Sequence, residues 1–182
     1  MHMTKSSVVT RRTTPVAAAS VPLTGRPVIW SAEVDVSSGQ RVELIDLTDR
    51  IAAWVASVGV SEGMLIVASL HTTCALFTNE WQEALLGDIR AFLESLVPRD
   101  GYYRHNDPAL SDCDRLNADS HLRATILGHS LALQISGGEL VLGHWQRILA
   151  AELDGPRLRT LRAQVFGVAS PPDAVDHPQP VV

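Results

Sequence analysis

The chain has 182 residues, 46 % apolar and 19 % charged, with a formal net charge of −5. That length makes one domain the default, and the apolar share can build a core without disulfide or metal staples. A weakly acidic chain with no dense Lys or Arg block argues against a general nucleic-acid binder and leaves room only for a local anion site.

Cys74 and Cys113 are the only cysteines. They make no disulfide framework and suit a reducing cytoplasm, the expected location. The longest apolar runs, such as Met64 to Leu70, are far too short to span a membrane. Near the N-terminus, Arg11 and Arg12 precede "TTPVAAASVP", a faint echo of an export signal that Pro15 and Pro22 interrupt. Residues 1–26, rich in Ser, Thr, Ala and Pro, read as a disordered extension. Residues 27–168 read as a single domain, and 169–182 as a Pro-rich tail.

In chain order, "VIWSAEVDVS" (28–37) alternates like a strand, Gly39-Gln40 signals a turn, and "RVELIDL" (41–47) makes a second strand. Asp46 or Thr48 can cap the next helix. Ile51, Trp54, Val55 and Val58 form its apolar face, and Gly59 ends it. "GMLIVASL" (63–70) has the length of a buried strand. "CALFTN" (74–79) is strand-like again. From Gln82 the period becomes helical through Leu96, and Pro98 stops it. The polar segment 99–120 is long for a loop inside a compact domain, and such loops are often functional. "ADSHLRATILG" (118–128) reads as a short helix. "SLALQIS" (130–136), Gly137-Gly138 and residues 139–153 read as a hairpin with a long second arm. "GPR" (155–157) turns the chain into a last strand, 158–166. Strands dominate, so an α+β fold with packed, largely antiparallel sheets and a few helices is expected.

Several polar residues stand out. His71 follows a buried-looking strand, and Glu80 lies nine residues on, at a strand-to-helix junction. His105 and Asp107 lie in the long loop, and His121 on the short helix. Imidazoles and carboxylates suit zinc-type ions, and a three-histidine site leaves a position open for water or substrate. Spacing alone equally allows a strand-end histidine with two surface ones. The pair His71 and Cys74 would point to opposite faces of an extended strand, so Cys74 reads as a core thiol unless Thr72-Thr73 bend. Arg157 and Arg159 share a face if extended. They could grip a phosphate or carboxylate, or belong to a surface network with Glu152 and Asp154.

The combination of "HTTCALFTNE" (71–80), "GDIRAFLESLVP" (87–98), "YYRHND" (102–107), "NADSHLRATILGHSLALQI" (117–135), "GGELVLGHWQRILAAELDGPR" (137–157) and "RAQVFG" (162–167) resembles the YjbQ-like family, also called the secondary thiamine-phosphate synthase family. The resemblance implies packed antiparallel sheets and a homotrimer with pockets near subunit interfaces. It also implies a divalent metal ion, zinc, on His71, His105 and His121. Glu80 and Asp88 match the family's asparagine–glutamate and helix-aspartate positions. Trp145, Gln146, Glu152 and Arg159 match its C-terminal signature. The expected roles are therefore catalytic for Glu80, Asp88 and Arg159, and substrate-binding for Trp145, Gln146 and Arg157. The expected partner is a small molecule, phosphorylated ones included; no nucleic acid or membrane is expected. Thiamine-phosphate synthesis is the implied activity. A metal-dependent hydrolase of a small phosphorylated or carbonyl substrate, with Glu80 as base, and a non-catalytic metal- or small-molecule-binding trimer are the alternatives.

Overall fold

A computed structural model describes residues 25–169. The expected extension at 1–26 and tail at 169–182 therefore lie almost wholly outside the described residues. The elements run β1 (Pro27–Ser37), β2 (Glu43–Asp46), α1 (Thr48–Ser57), β3 (Val60–Ser69), β4 (Cys74–Asn79), α2 (Glu83–Leu96), a 3-10 turn (Arg104–Asn106), α3 (Ala118–Leu127), β5 (Ser130–Ser136), β6 (Glu139–Leu140), β7 (Arg147–Glu152) and β8 (Leu158–Ala169). The fold is α+β and every strand pair is antiparallel.

The strands divide into a five-stranded sheet, in the order β1-β8-β3-β5-β6, and a three-stranded sheet, β2-β7-β4. The two sheets pack face to face. Leu65, Val67, Ile135, Leu161, Ala163 and Val165 from one meet Cys74, Leu76, Ile148 and Ala150 from the other, with Ile51 and Val55 of α1. The opposite face of the small sheet, through Leu44, Ala75, Leu149 and Ala151, packs on Leu86 and Leu93 of α2 and Ala124 of α3. Strand β7 is thus covered on both faces, which explains its unbroken apolar run "ILAA". Strand β8 alternates buried and exposed residues because the outer face of its sheet is open.

Two sequence expectations need correction. The segment after Gly137-Gly138 is not a long hairpin arm: β6 has two residues and then the chain leaves the sheet. Gly143 and Gln146 close a turn, with the Gly143 N–H donating to Gln146 Oε1 at 2.8 Å, and the chain re-enters as β7 of the other sheet. The Gly39-Gln40 turn likewise does not pair β1 with β2. It carries the chain from one sheet to the other. Local periodicity shows that a segment is extended, but not which sheet takes it.

These transfers position the site. Three of them, at 38–42, 70–73 and 153–157, meet at one end of the sandwich, hereafter the crossover end. There Ser38 N–H donates to Arg157 O (2.9 Å), Leu153 N–H to Thr73 O (3.2 Å) and Gly155 N–H to Arg41 O (2.9 Å).

Candidate functional site at the crossover end

The crossover end carries a buried polar network. Strand β7 ends on Glu152, whose Oε1 accepts from the Leu153 and Asp154 backbone N–H groups at 3.0 and 2.7 Å. Its carboxylate also takes a two-pronged hydrogen bond from Arg159, at 2.5 and 2.6 Å, and Arg159 Nη2 donates to Thr73 Oγ1 at 2.9 Å. Both side chains are buried. Removing one partner of such a pair leaves an uncompensated charge, at about 3–5 kcal/mol. Arg159 is therefore an internal strut, and the network expected on the surface lies inside.

Two residues on, Asp154 is the hub of a second cluster. Its Oδ1 accepts from Arg41 Nη1 at 3.1 Å. Its Oδ2 accepts from Arg115 Nε and Asn117 Nδ2, both at 2.9 Å, and from Arg157 Nη2 at 3.5 Å. Burial pushes the Asp154 carboxyl up, but the hydrogen bonds and charges of Arg115, Asn117 and Arg41 outweigh it and hold the group below the ordinary carboxylate value. Arg41 also reaches Asp119 Oδ1 at 3.0 Å, near the start of α3. Beside it, Ser120 Oγ donates to Leu153 O, so α3 is tied to the crossover.

His105 and His121 stand edge to face beside this cluster, with ring centroids 5.1 Å apart and planes at 88°. The His121 pKa is lowered, first by burial and then by the charge of His105, while Asp154 and Asp119 oppose the shift and His129 adds to it. His71, in the 70–73 transfer, accepts the Thr160 N–H on its Nε2 at 3.0 Å. That bond places the ring proton on Nδ1 and spends the Nε2 lone pair. Burial, then the Arg159 charge, lowers the His71 pKa in the same sense.

Of the three expected metal ligands, His105 and His121 form an edge-to-face pair and His71 accepts the Thr160 N–H. Among the described residues, no group of three or more His, Cys, Asp or Glu side chains is placed to hold a metal ion. His105 and His121 fit as part of a ligand set: two imidazoles on one tetrahedral zinc, with Zn–N of about 2.0–2.1 Å, have centroids roughly 5 Å apart. His129 Nε2 is buried with no hydrogen-bond partner among the described residues, a feature no spacing rule flagged.

The remaining expected residues lie elsewhere. Strand β4 starts opposite Glu152 and ends opposite Arg147, so about 17 Å of strand separates its two ends. Glu80 follows the far end, where its N–H donates to Asn79 Oδ1 at 2.9 Å. Trp145 and Gln146 also lie at the far end, beside β7's first residue. Trp145 is exposed and stacks edge-on with His144 at 4.5 Å. Asp88 is exposed on α2. Residues 70–73 do bend, yet Cys74 is buried in the core and burial raises its thiol pKa. Sequence reasoning missed Arg41, Arg115 and Asp119 as members of the site. Arg41 pairs with groups 78 and 113 residues away, a separation that leaves no local pattern.

The fold and site define an α+β, two-sheet protein whose sheet transfers converge on a buried arginine–carboxylate network rimmed by histidines. A family model described as UPF0047 protein YjbQ-like matches residues 32–168, and the chain belongs to that family. A UPF0047 protein of Methanothermobacter thermautotrophicus is 44 % identical over 139 residues, covering 76 % of this chain and 93 % of that protein. One from Archaeoglobus fulgidus is 45 % identical over 129 residues, covering 70 % and 94 %. The solved structure of a YbjQ-like protein of unknown function from Sulfolobus solfataricus superposes with a TM-score of 0.73 at 31 % identity, covering 78 % of this chain and 99 % of that one. Among the described residues, no helix is long and apolar enough to cross a membrane.

Proposed function

We propose that this protein is a metal-dependent enzyme that acts on a small phosphorylated molecule at the crossover end. The observation that carries the reading is the edge-to-face pair His105 and His121 beside arginines gathered on Asp154. His105 and His121 would hold the ion, with zinc the best match to imidazole donors. Bound there, it would supply Lewis acidity and lower the pKa of a bound water. The chain's own groups have separate tasks. Arg157 and its neighbours attract the anionic part of the substrate. Glu152 and Asp154 hold the arginines in place, and their donors leave neither carboxylate free to act as a base.

The family resemblance suggests a thiamine-phosphate synthase reaction, in which a hydroxymethylpyrimidine diphosphate joins a thiazole phosphate and releases pyrophosphate. Arginines facing a leaving pyrophosphate suit that step. The resemblance also suggests a homotrimer. The open sheet face supports it, since Ile29, Met64, Ile66 and Phe166 are all exposed there. In a trimer, a neighbouring copy could bring its far end, with Glu80 and Trp145, to the crossover end of the next. Zinc-loaded protein given both substrates should release pyrophosphate and form thiamine phosphate. If it makes none while a known synthase works in the same assay, the synthase reading fails and hydrolysis of a phosphorylated substrate becomes the reaction to assay.

A further inference from the structure

Asp154 is saturated by its donors, yet the arginines around it are not. Arg115 uses only its Nε on Asp154, and Arg157 uses its Nε on Asp154 O (3.1 Å) and its Nη2 on Oδ2 (3.5 Å). Neither Nη of Arg115, nor Nη1 of Arg157, has a partner among the described residues. Side-chain exposure is 48 % for Arg115 and 32 % for Arg157, against 2 % for the Asp154 carboxylate between them. The buried carboxylate thus turns one edge of each guanidinium inward and leaves the other edge facing solvent.

Charge points the same way. Arg41, Arg115, Arg123 and Arg157 face only Asp119, Asp154 and Glu94 in their ion pairs. The surplus positive charge sits on the exposed pair, because Arg41 and Arg123 are largely buried by their partners. Both forks reach the same carboxylate oxygen, Asp154 Oδ2, which sets the two guanidiniums side by side. A carboxylate has two oxygens and satisfies one fork well, whereas a terminal phosphoryl group has three and can engage both.

We propose that Arg115 and Arg157, set side by side by Asp154, form a clamp for the dianionic phosphoryl group of a small phosphomonoester. Arg115 comes from the long polar loop and Arg157 from the β7–β8 crossover. The loop is anchored for this task by Ala118 N–H on Asn106 Oδ1 (3.0 Å) and by Asn117 on Asp154. The clamp rests on the crossover end being the substrate site but needs no metal ion.

The test is calorimetric titration of metal-stripped, full-length protein with inorganic phosphate, phenyl phosphate and acetate, alongside zinc analysis of the same proteins after reloading with zinc and desalting. Phenyl phosphate should bind saturably and more tightly than inorganic phosphate, and acetate should not compete. Arg115→Ala and Arg157→Ala should each weaken phenyl phosphate by about tenfold or more. Arg115→Lys should also weaken it, because a point charge replaces a fork. Arg115 is half-exposed, so its variants should melt near the wild-type temperature and keep their zinc. Phosphate binding without zinc binding upholds the clamp and rejects the metal reading. Zinc binding without phosphate binding does the reverse. Wild-type affinity in both alanine variants overturns the clamp, and binding of inorganic phosphate with exclusion of phenyl phosphate overturns the ester.

Discussion

At the residue scale, chemical type was legible in the sequence and partnership was not. His71, His105 and His121 were recognisable as histidines set among polar loops and element ends. Only the fold pairs His105 with His121 and gives the His71 Nε2 the Thr160 N–H. The burial of His71 also has a pH consequence. Burial, followed by the Arg159 charge, lowers the His71 pKa from the ordinary 6.5. An unfolded chain therefore takes up its proton at a higher pH than the folded one. The stabilisation is present above pH 6.5 and is lost as pH falls through the folded-state value. His121 contributes in the same direction. In urea unfolding, His71→Gln should lose less stability than wild type between about pH 7 and pH 5. Identical slopes for the two proteins would remove His71 from the account.

At the element scale, β4 and β5 were found within a residue because short alternating or apolar runs bounded by turns mark strands directly. The helices followed from their apolar stripes, and Gly59, at φ +67°, ends α1 in the backbone region that favours glycine. The sheet transfers were not legible, since a turn looks the same whether the next strand pairs with the last one or joins another sheet. Gly155 shows how tightly these transfers fit. A Cβ there would lie 2.2 Å from Gln40 O and 2.7 Å from Ser38 Oγ, and its N–H already bonds Arg41 O. Both segments carry arginines of the cluster. Gly155→Ala should lower unfolding stability by about 1–3 kcal/mol in urea titration. It should also weaken the titrated phosphate affinity, because Arg41 and Arg157 flank the clash. Unchanged stability would show that the crossovers are looser than described.

At the scale of the whole molecule, one protomer keeps Glu80 and Trp145 at the end of the small sheet remote from His105 and His121. The proposed homotrimer joins them only between copies. Subunit mixing reads this directly. His121→Ala and Glu80→Gln should each be inactive, and reassembled mixtures should regain turnover that neither variant shows alone. Mixed trimers that form without recovering activity would place the two residues in unrelated roles. The weakly acidic net charge is no obstacle to an anion site, because Arg41, Arg115 and Arg157 gather on Asp154 at the crossover end.

The most direct measurement is the zinc content of the full-length protein after loading and desalting, compared with the His105→Ala/His121→Ala double variant and with His144→Ala at the far end. The account predicts about one zinc per chain in wild type and His144→Ala, and none in the double variant. Zinc retained by the double variant, or lost with His144, would contradict it.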